Sequence, residues 1–240
     1  MNRKLIVNND FLGVSKAFNT KEFGDKLEAA YLTLDNRDKF TTKKSFAPSS
    51  VGYGKGNCPR YWYYAFNGVE FVEDNDALSK ANMMYGTEAG KRIAALLEEA
   101  GVLIEAEVEV KHEDPPIGGF MDALVMWQDE EIICEVKTTK QDQFSHRAAT
   151  MKVPTYQLIQ LLTYMKIFKK DKGFFLTENK NTGELLIVPI KMTEERAELI
   201  ERVWQWMREV HDNAINGELP KRPFTQSSFE CKSCPVKNTC

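Results

Sequence analysis

The sequence predicts an α/β fold in which a central sheet is flanked by helices and the C-terminal tail is tied back to the region around Cys58. Three observations lead there. Residues 103–111, LIEAEVEVK, alternate Ala106, Val108 and Val110 with Glu105, Glu107 and Glu109, the period-2 signature of a half-buried strand. Two apolar runs, FMDALVMW and EIICEVKTT, follow with only a short polar turn between them. Helical spacing of apolar residues brackets these strands on both sides.

Taken in order, residues 1–55 read as a loosely organised leading segment ending in SSVGYGKGN, and residues 56–240 as the folded domain. CPRYWYYAFNG opens that domain with an aromatic-rich run that predicts a short helix packed on the body. Ile93, Leu96 and Leu97 predict a helix over 77–100, with a break near Gly86 and a stop at Gly101. HEDPPIGG then turns the chain, and the two apolar runs predict an antiparallel hairpin in mid-sheet. PTYQLIQLLTYMKIF, with Pro154 at a first-turn position, predicts a buried helix. GFFLTEN and ELLIVPI predict another hairpin around Asn-Thr-Gly. Finally Leu199, Ile200, Val203, Met207 and Val210 share one face of a predicted helix over 194–216, and a cysteine-bearing tail closes the sequence.

Composition narrows the class. With 240 residues, 42% hydrophobic and 28% charged, the chain can bury one sizeable core with appendages. A net charge of -3 excludes coating of nucleic acid by bulk charge, though not a local basic groove. No run of about 18 apolar residues is present, and MNRKLIVNNDFLG lacks a signal-type apolar stretch, so a soluble intracellular chain without a membrane span is expected. In that setting five cysteines read as metal ligands or buried apolar residues rather than as disulfides.

Asp122 falls near the start of one hairpin strand, and Glu135 and Lys137 lie two apart on the next, so the pleat sends both to one face. Pairing the strands sets Asp122 beside Glu135, and two carboxylates this close need a proton or a cation between them. Oxygen donors of this kind suit Mg2+ or Mn2+. On the following helix Gln160 and Tyr164, with Gln157 a turn earlier, share a face and are candidates for contacting a phosphate backbone, as is Arg60. The aromatics from Tyr61 to Tyr64 either stack on bases or pack the region around Cys58.

Cys231, Cys234 and Cys240 form a compact triplet far from Cys58, and four thiolates suit a [4Fe-4S] cluster or a structural zinc. Cys134, within a strand, reads as an ordinary buried thiol.

These pieces together resemble the RecB-like branch of the PD-(D/E)xK nucleases, and within it the iron-sulfur members, the CRISPR-associated exonucleases and AddB-type helicase-nucleases. The resemblance covers roughly 58–240 and runs in the family order: Cys58-Pro59-Arg60, Gly86-Thr87, Gly119-x2-Asp122, Glu135-Val136-Lys137, Gln160-x3-Tyr164, then the cysteine triplet. It implies a restriction-endonuclease-like core with a mixed sheet, a [4Fe-4S] cluster on Cys58, Cys231, Cys234 and Cys240, and Mg2+ or Mn2+ at Asp122, Glu135 and the Val136 carbonyl. It also implies an exonuclease working on DNA ends, from 5' ends on single strands, alone, as a homo-oligomer or with a recombination or CRISPR partner. Where the family has Gly-Thr-x-x-His with a ligating histidine, GTEAG has Gly90; Glu88 on the same helix is the candidate replacement. The alternatives are a nonhydrolytic DNA-binding subunit, an endonuclease, and zinc in the tail.

Overall fold

A computed structural model of the chain describes residues 20–34, 42–72 and 77–240. Residues 1–19 and 35–41 of the expected leading segment lie outside the described residues. The described residues divide into two compact units, one holding residues 20–34 and 77–88, the other 42–72 and 89–240. In the first, α1 (Thr20–Leu34) is a helix whose Leu32 carbonyl accepts from the Lys80 ammonium.

The second unit carries the sheet. Its strands are β1 (Leu103–His112), β2 (Ile117–Trp127), β3 (Glu130–Thr139), β4 (Lys172–Asn179) and β5 (Leu185–Lys191), adjacent in that order. All neighbours are antiparallel except β3 and β4, which are parallel, so the sheet is mixed. The parallel step requires a crossover, supplied by α4 (Gln141–Thr150), which the sequence reading missed, and α5 (Thr155–Ile167). Gln128 and Asp129, at φ of 53° and 62°, form the two-residue turn between β2 and β3, the backbone that matches the twist of a tight hairpin.

Helices cover both faces. α2 (Pro59–Phe66), α5 and α6 (Glu194–Asn216) pack one face through Trp62, Leu161, Leu162 and Met207, all fully buried, against Ile133 and Phe175 of β3 and β4. The alternate residues Cys134 and Leu176 face the other way, onto Ile93 of α3 (Ala77–Glu99). The helix runs through Gly86 without the expected break, because a lone glycine costs a helix only about 1 kcal/mol. Phe46 and Val51 are also buried in the main core, and Phe46 bridges to Ile117, so this core begins well before residue 56. Among the described residues no helix is long and apolar enough to cross a membrane.

One strand residue is strained. Glu107 has φ 51° in the middle of β1, whereas the other described non-glycine residues with positive φ sit in the hairpin turn or just past a helix. A left-handed conformation at such a residue costs on the order of 1 kcal/mol or more. Glu107→Gly is therefore expected to raise Tm by about 2–4 °C, measured by calorimetry without divalent cations.

Candidate active site

The β2–β3 ladder ends at the pair Ala123 and Cys134, and Asp122 lies one step beyond. There its side chain replaces the strand: Asp122 Oδ2 accepts the Val136 amide at 2.7 Å. Amide and carbonyl of one strand residue point the same way, so the Val136 carbonyl opens toward Asp122 as well. Glu135 is 1% exposed and receives the Lys137 ammonium on Oε1 at 2.6 Å. Its other oxygen, Oε2, is buried with no N–H donor in reach, so only a proton shared with Asp122 or a cation can meet it. A buried acceptor left unpaired costs about 1–3 kcal/mol, more when charged.

Burial pushes Glu135 up to about 8, against the pull of Lys137 and with the help of Asp122. Burial likewise raises Asp122, although Lys137 and the Val136 amide oppose it, and Glu107 on β1 adds to the rise. Burial alone would lower Lys137, but the Glu135 and Asp122 carboxylates outweigh it and hold the ammonium charged. The arrangement is thus two buried carboxyl groups close enough to share a proton, with an ammonium alongside. Hard oxygen donors of this set fit Mg2+ or Mn2+.

The α5 residues support this group from beneath. Lys137 also donates to Gln160 Oε1 at 3.1 Å; Gln160 Nε2 reaches the Tyr164 hydroxyl at 3.3 Å, and that hydroxyl donates to the Phe120 carbonyl at 3.0 Å. Gln157 Oε1 accepts from Arg147, which also donates to Thr177 Oγ1 at 2.7 Å. Gln157, Gln160 and Tyr164 are all buried, so they position Lys137 and the sheet end rather than lie open to a phosphate backbone as expected. Arg147 and Glu107 were missed; a lone arginine on a polar helix and one glutamate among three in a strand carry no motif. Tyr164→Phe is expected to destabilise the fold by about 1 kcal/mol and to leave Gln160 less fixed, checked by denaturant unfolding.

The four cysteines come together. Cys58, Cys231, Cys234 and Cys240 line a single cavity of about 290 Å3, with Tyr61 and Arg222 beside them. That is roughly ten times the 30 Å3 a water takes in the liquid, room for a group of several atoms. No disulfide forms, and burial holds the Cys58 and Cys234 thiols up. Among the described residues no three His, Cys, Asp or Glu side chains already close around one ion. Arg60 is turned to this tail, donating to the Pro220 carbonyl at 2.8 Å and to Cys240 Sγ at 3.8 Å, rather than outward to a polyanion. Tyr61 and Trp62 are core residues, at 2% and 0% exposure, and Cys134 is fully buried on the opposite sheet face. Glu88 is an exposed residue of α3 and belongs to the first compact unit. At Gly90, in the second unit, an added Cβ would meet nothing within 4 Å.

A family model described as the PD-(D/E)XK nuclease superfamily matches residues 57–240. Among solved structures, an alkaline exonuclease from Laribacter hongkongensis is similar at TM-score 0.56 and 14% identity, over 81% of this chain and 96% of that one. The same exonuclease in complex with dAMP matches at TM-score 0.56 and 16% identity over the same shares. The crystal structure of SSO0001 is similar at TM-score 0.51 and 16% identity, over 91% of this chain and 96% of that one. At these identities the likeness is one of fold. A sequence search of curated proteins found no match.

Proposed function

The chain belongs to the PD-(D/E)XK nuclease superfamily, and from that premise we propose that it is a divalent-metal-dependent deoxyribonuclease that hydrolyses phosphodiester bonds at DNA ends. The observation that carries this reading is the buried Glu135 carboxyl, whose Oε2 no protein N–H reaches, set against Asp122 with Lys137 alongside. Such a site is costly to keep in an inert protein, and the cost is offset when a cation and a phosphodiester occupy it.

Asp122, Glu135 and the Val136 carbonyl would hold Mg2+ or Mn2+, with Glu88 as a further ligand in place of the family histidine. The cation supplies Lewis acidity at a phosphoryl oxygen and lowers the pKa of the attacking water. Lys137, held between Glu135 and Gln160, orients that water or offsets charge at the phosphorus. Tyr164 and Gln160 keep the ammonium aimed. Glu88→Ala should abolish cleavage under this reading, and near-normal activity would remove Glu88 from the ligand set.

The tail reading is a [4Fe-4S] cluster on Cys58, Cys231, Cys234 and Cys240, supported by their shared cavity and by the compact triplet. Arg60 donates to the sulfur of Cys240, one of these four. Protein purified anaerobically should be brown, with broad visible absorption that dithionite bleaches; a colourless, zinc-loaded protein would contradict the cluster. Digestion from ends, in the 5' to 3' direction and with single strands preferred, follows the resemblance to the iron-sulfur branch. Linear single-stranded DNA should then be degraded while the same sequence as a covalently closed circle survives. Cutting of the circle would instead make the chain an endonuclease.

A further inference from the structure

Three aromatic side chains outside the core touch in succession, Tyr156 to Tyr53 to Phe229, starting on α5, the helix whose Gln160 holds Lys137. The loop over residues 50–56 is shaped by two left-handed glycines, Gly52 at φ 84° and Gly54 at φ 49°. Val51 between core neighbours anchors it, 2% exposed. Both glycines lie close against the residues that matter here. A Cβ at Gly52 would lie 3.4 Å from the Tyr156 backbone and 3.1 Å from Ile159, and one at Gly54 would lie 3.4 Å from the Phe229 ring. The loop therefore presents Tyr53 between Tyr156 and Phe229, with ring centroids 4.6 Å and 6.3 Å away. Tyr53 is 52% exposed and Phe229 60% exposed, so each leaves much of its ring in solvent.

The line has two defined ends. Tyr156 lies in the first turn of α5, next to Gln157, whose amide donates to its hydroxyl at 3.3 Å. Gln157 also accepts from Arg147, and one turn further along α5 Gln160 accepts from Lys137, which puts Tyr156 on the helix turn leading to the carboxylate site. Phe229 opens α7 (Phe229–Lys232), whose Ser228 cap accepts the amide of Cys231, so the thiol cavity fixes it from behind. Single exposed aromatics are ordinary on a surface, but rings in mutual contact leading from a phosphate-cleaving site to a clipped tail are not scattered. Lys232, exposed on the same helix as Phe229, gives this end of the strip a cation for a polyanion, whereas Lys55 turns inward over the Tyr61 ring.

Resting on the nuclease reading above, we propose that Tyr53, Tyr156 and Phe229 are a stacking platform for the unpaired bases of a DNA strand leading to Asp122 and Glu135. Every base has a face to stack, so the platform binds without regard to sequence. A duplex keeps its bases stacked on one another and gains nothing from it, which provides a physical cause for single-strand preference. The four-cysteine clip then has a role in substrate binding, because it holds Phe229 in line with Tyr53.

The test is binding of a fluorescent oligo-thymidylate to the full chain with divalent cations chelated, so that the strand is not cut. Tyr53→Ala and Phe229→Ala should each weaken it about 10-fold, the scale of one stacked base. Tyr53→Trp and Phe229→Tyr, which keep a ring, should bind within about 2-fold of wild type, and a blunt duplex should bind all variants alike. A 2-aminopurine base in the strand should be quenched by wild type and less by Tyr53→Ala. Alanine variants that bind the strand as well as wild type, or that lose strand and duplex equally, would overturn the platform. Because cleavage is not read, a chain that binds through these rings yet releases no nucleotide with Mn2+ would keep the platform and sink the nuclease.

Discussion

Asp122→Asn is expected to reduce metal-dependent cleavage by roughly 10^3-fold or more while making the metal-free fold more stable above pH 8. The asparagine oxygen can still accept the Val136 amide, the 2.7 Å bond that closes the sheet end, so the local structure is kept. What disappears is one of two carboxylates that burial and mutual repulsion hold above their ordinary range. Above pH 8, where Glu135 is ionised too, removing that repulsion should raise Tm by about 2–4 °C in the presence of a chelator, the shift for about 1 kcal/mol in a chain of this size. Adding Mn2+ reverses the order: wild type gains stability by binding the cation, and the variant does not. An unchanged cleavage rate would remove Asp122 from the chemistry. An unchanged Tm with chelator would mean that the carboxylates do not repel as their burial implies.

The second large effect is on pH. Glu135 is pushed up to about 8 from an ordinary value near 4.5, so the folded chain binds its proton more tightly than the unfolded chain. Its protonated form therefore stabilises the metal-free fold fully below about pH 4.5, and that contribution, a few kcal/mol at most, is lost as pH rises through 8. A cation needs the ionised form and must displace the proton below pH 8. The half-saturating Mn2+ concentration for cleavage should then fall by up to about 10-fold per pH unit between pH 6 and 8, and level off above. Lys137 stays charged across this range, because Glu135 and Asp122 hold it up. Titration of activity against Mn2+ at several pH values checks this; a half-saturating concentration flat from pH 6 to 9 would contradict it.

Much of this site was legible in the sequence because strand periodicity is rigid. A two-residue spacing must send Glu135 and Lys137 to one face, and a tight hairpin must return Asp122 beside them. That Cys58 and the tail triplet line one cavity was not legible from spacing, since Cys58 lies far upstream of the triplet. Side-chain bonding was not legible. Gln160 and Tyr164 share a helix face whether that face meets solvent or the sheet, and only the packing of α5 against β3 turned them inward to Lys137 and Phe120. Arg60 looked like a phosphate contact until the tail folded over it at Pro220 and Cys240. The same fold buries Tyr61 and Trp62 and leaves exposed Tyr53, which lies within the leading segment expected from the sequence. The start of the core at Phe46 was hidden because an isolated aromatic among polar residues carries no period.

The measurement closest to the central claim is release of nucleotides from end-labelled linear DNA by anaerobically purified protein, with Mn2+ or Mg2+ and again with chelator. Rapid release with the cation, none with chelator and none from Asp122→Asn or Glu135→Ala is the predicted result. Failure of the cluster-replete wild-type chain to release any nucleotide with either cation would contradict it, and would leave the fold as a DNA-binding subunit.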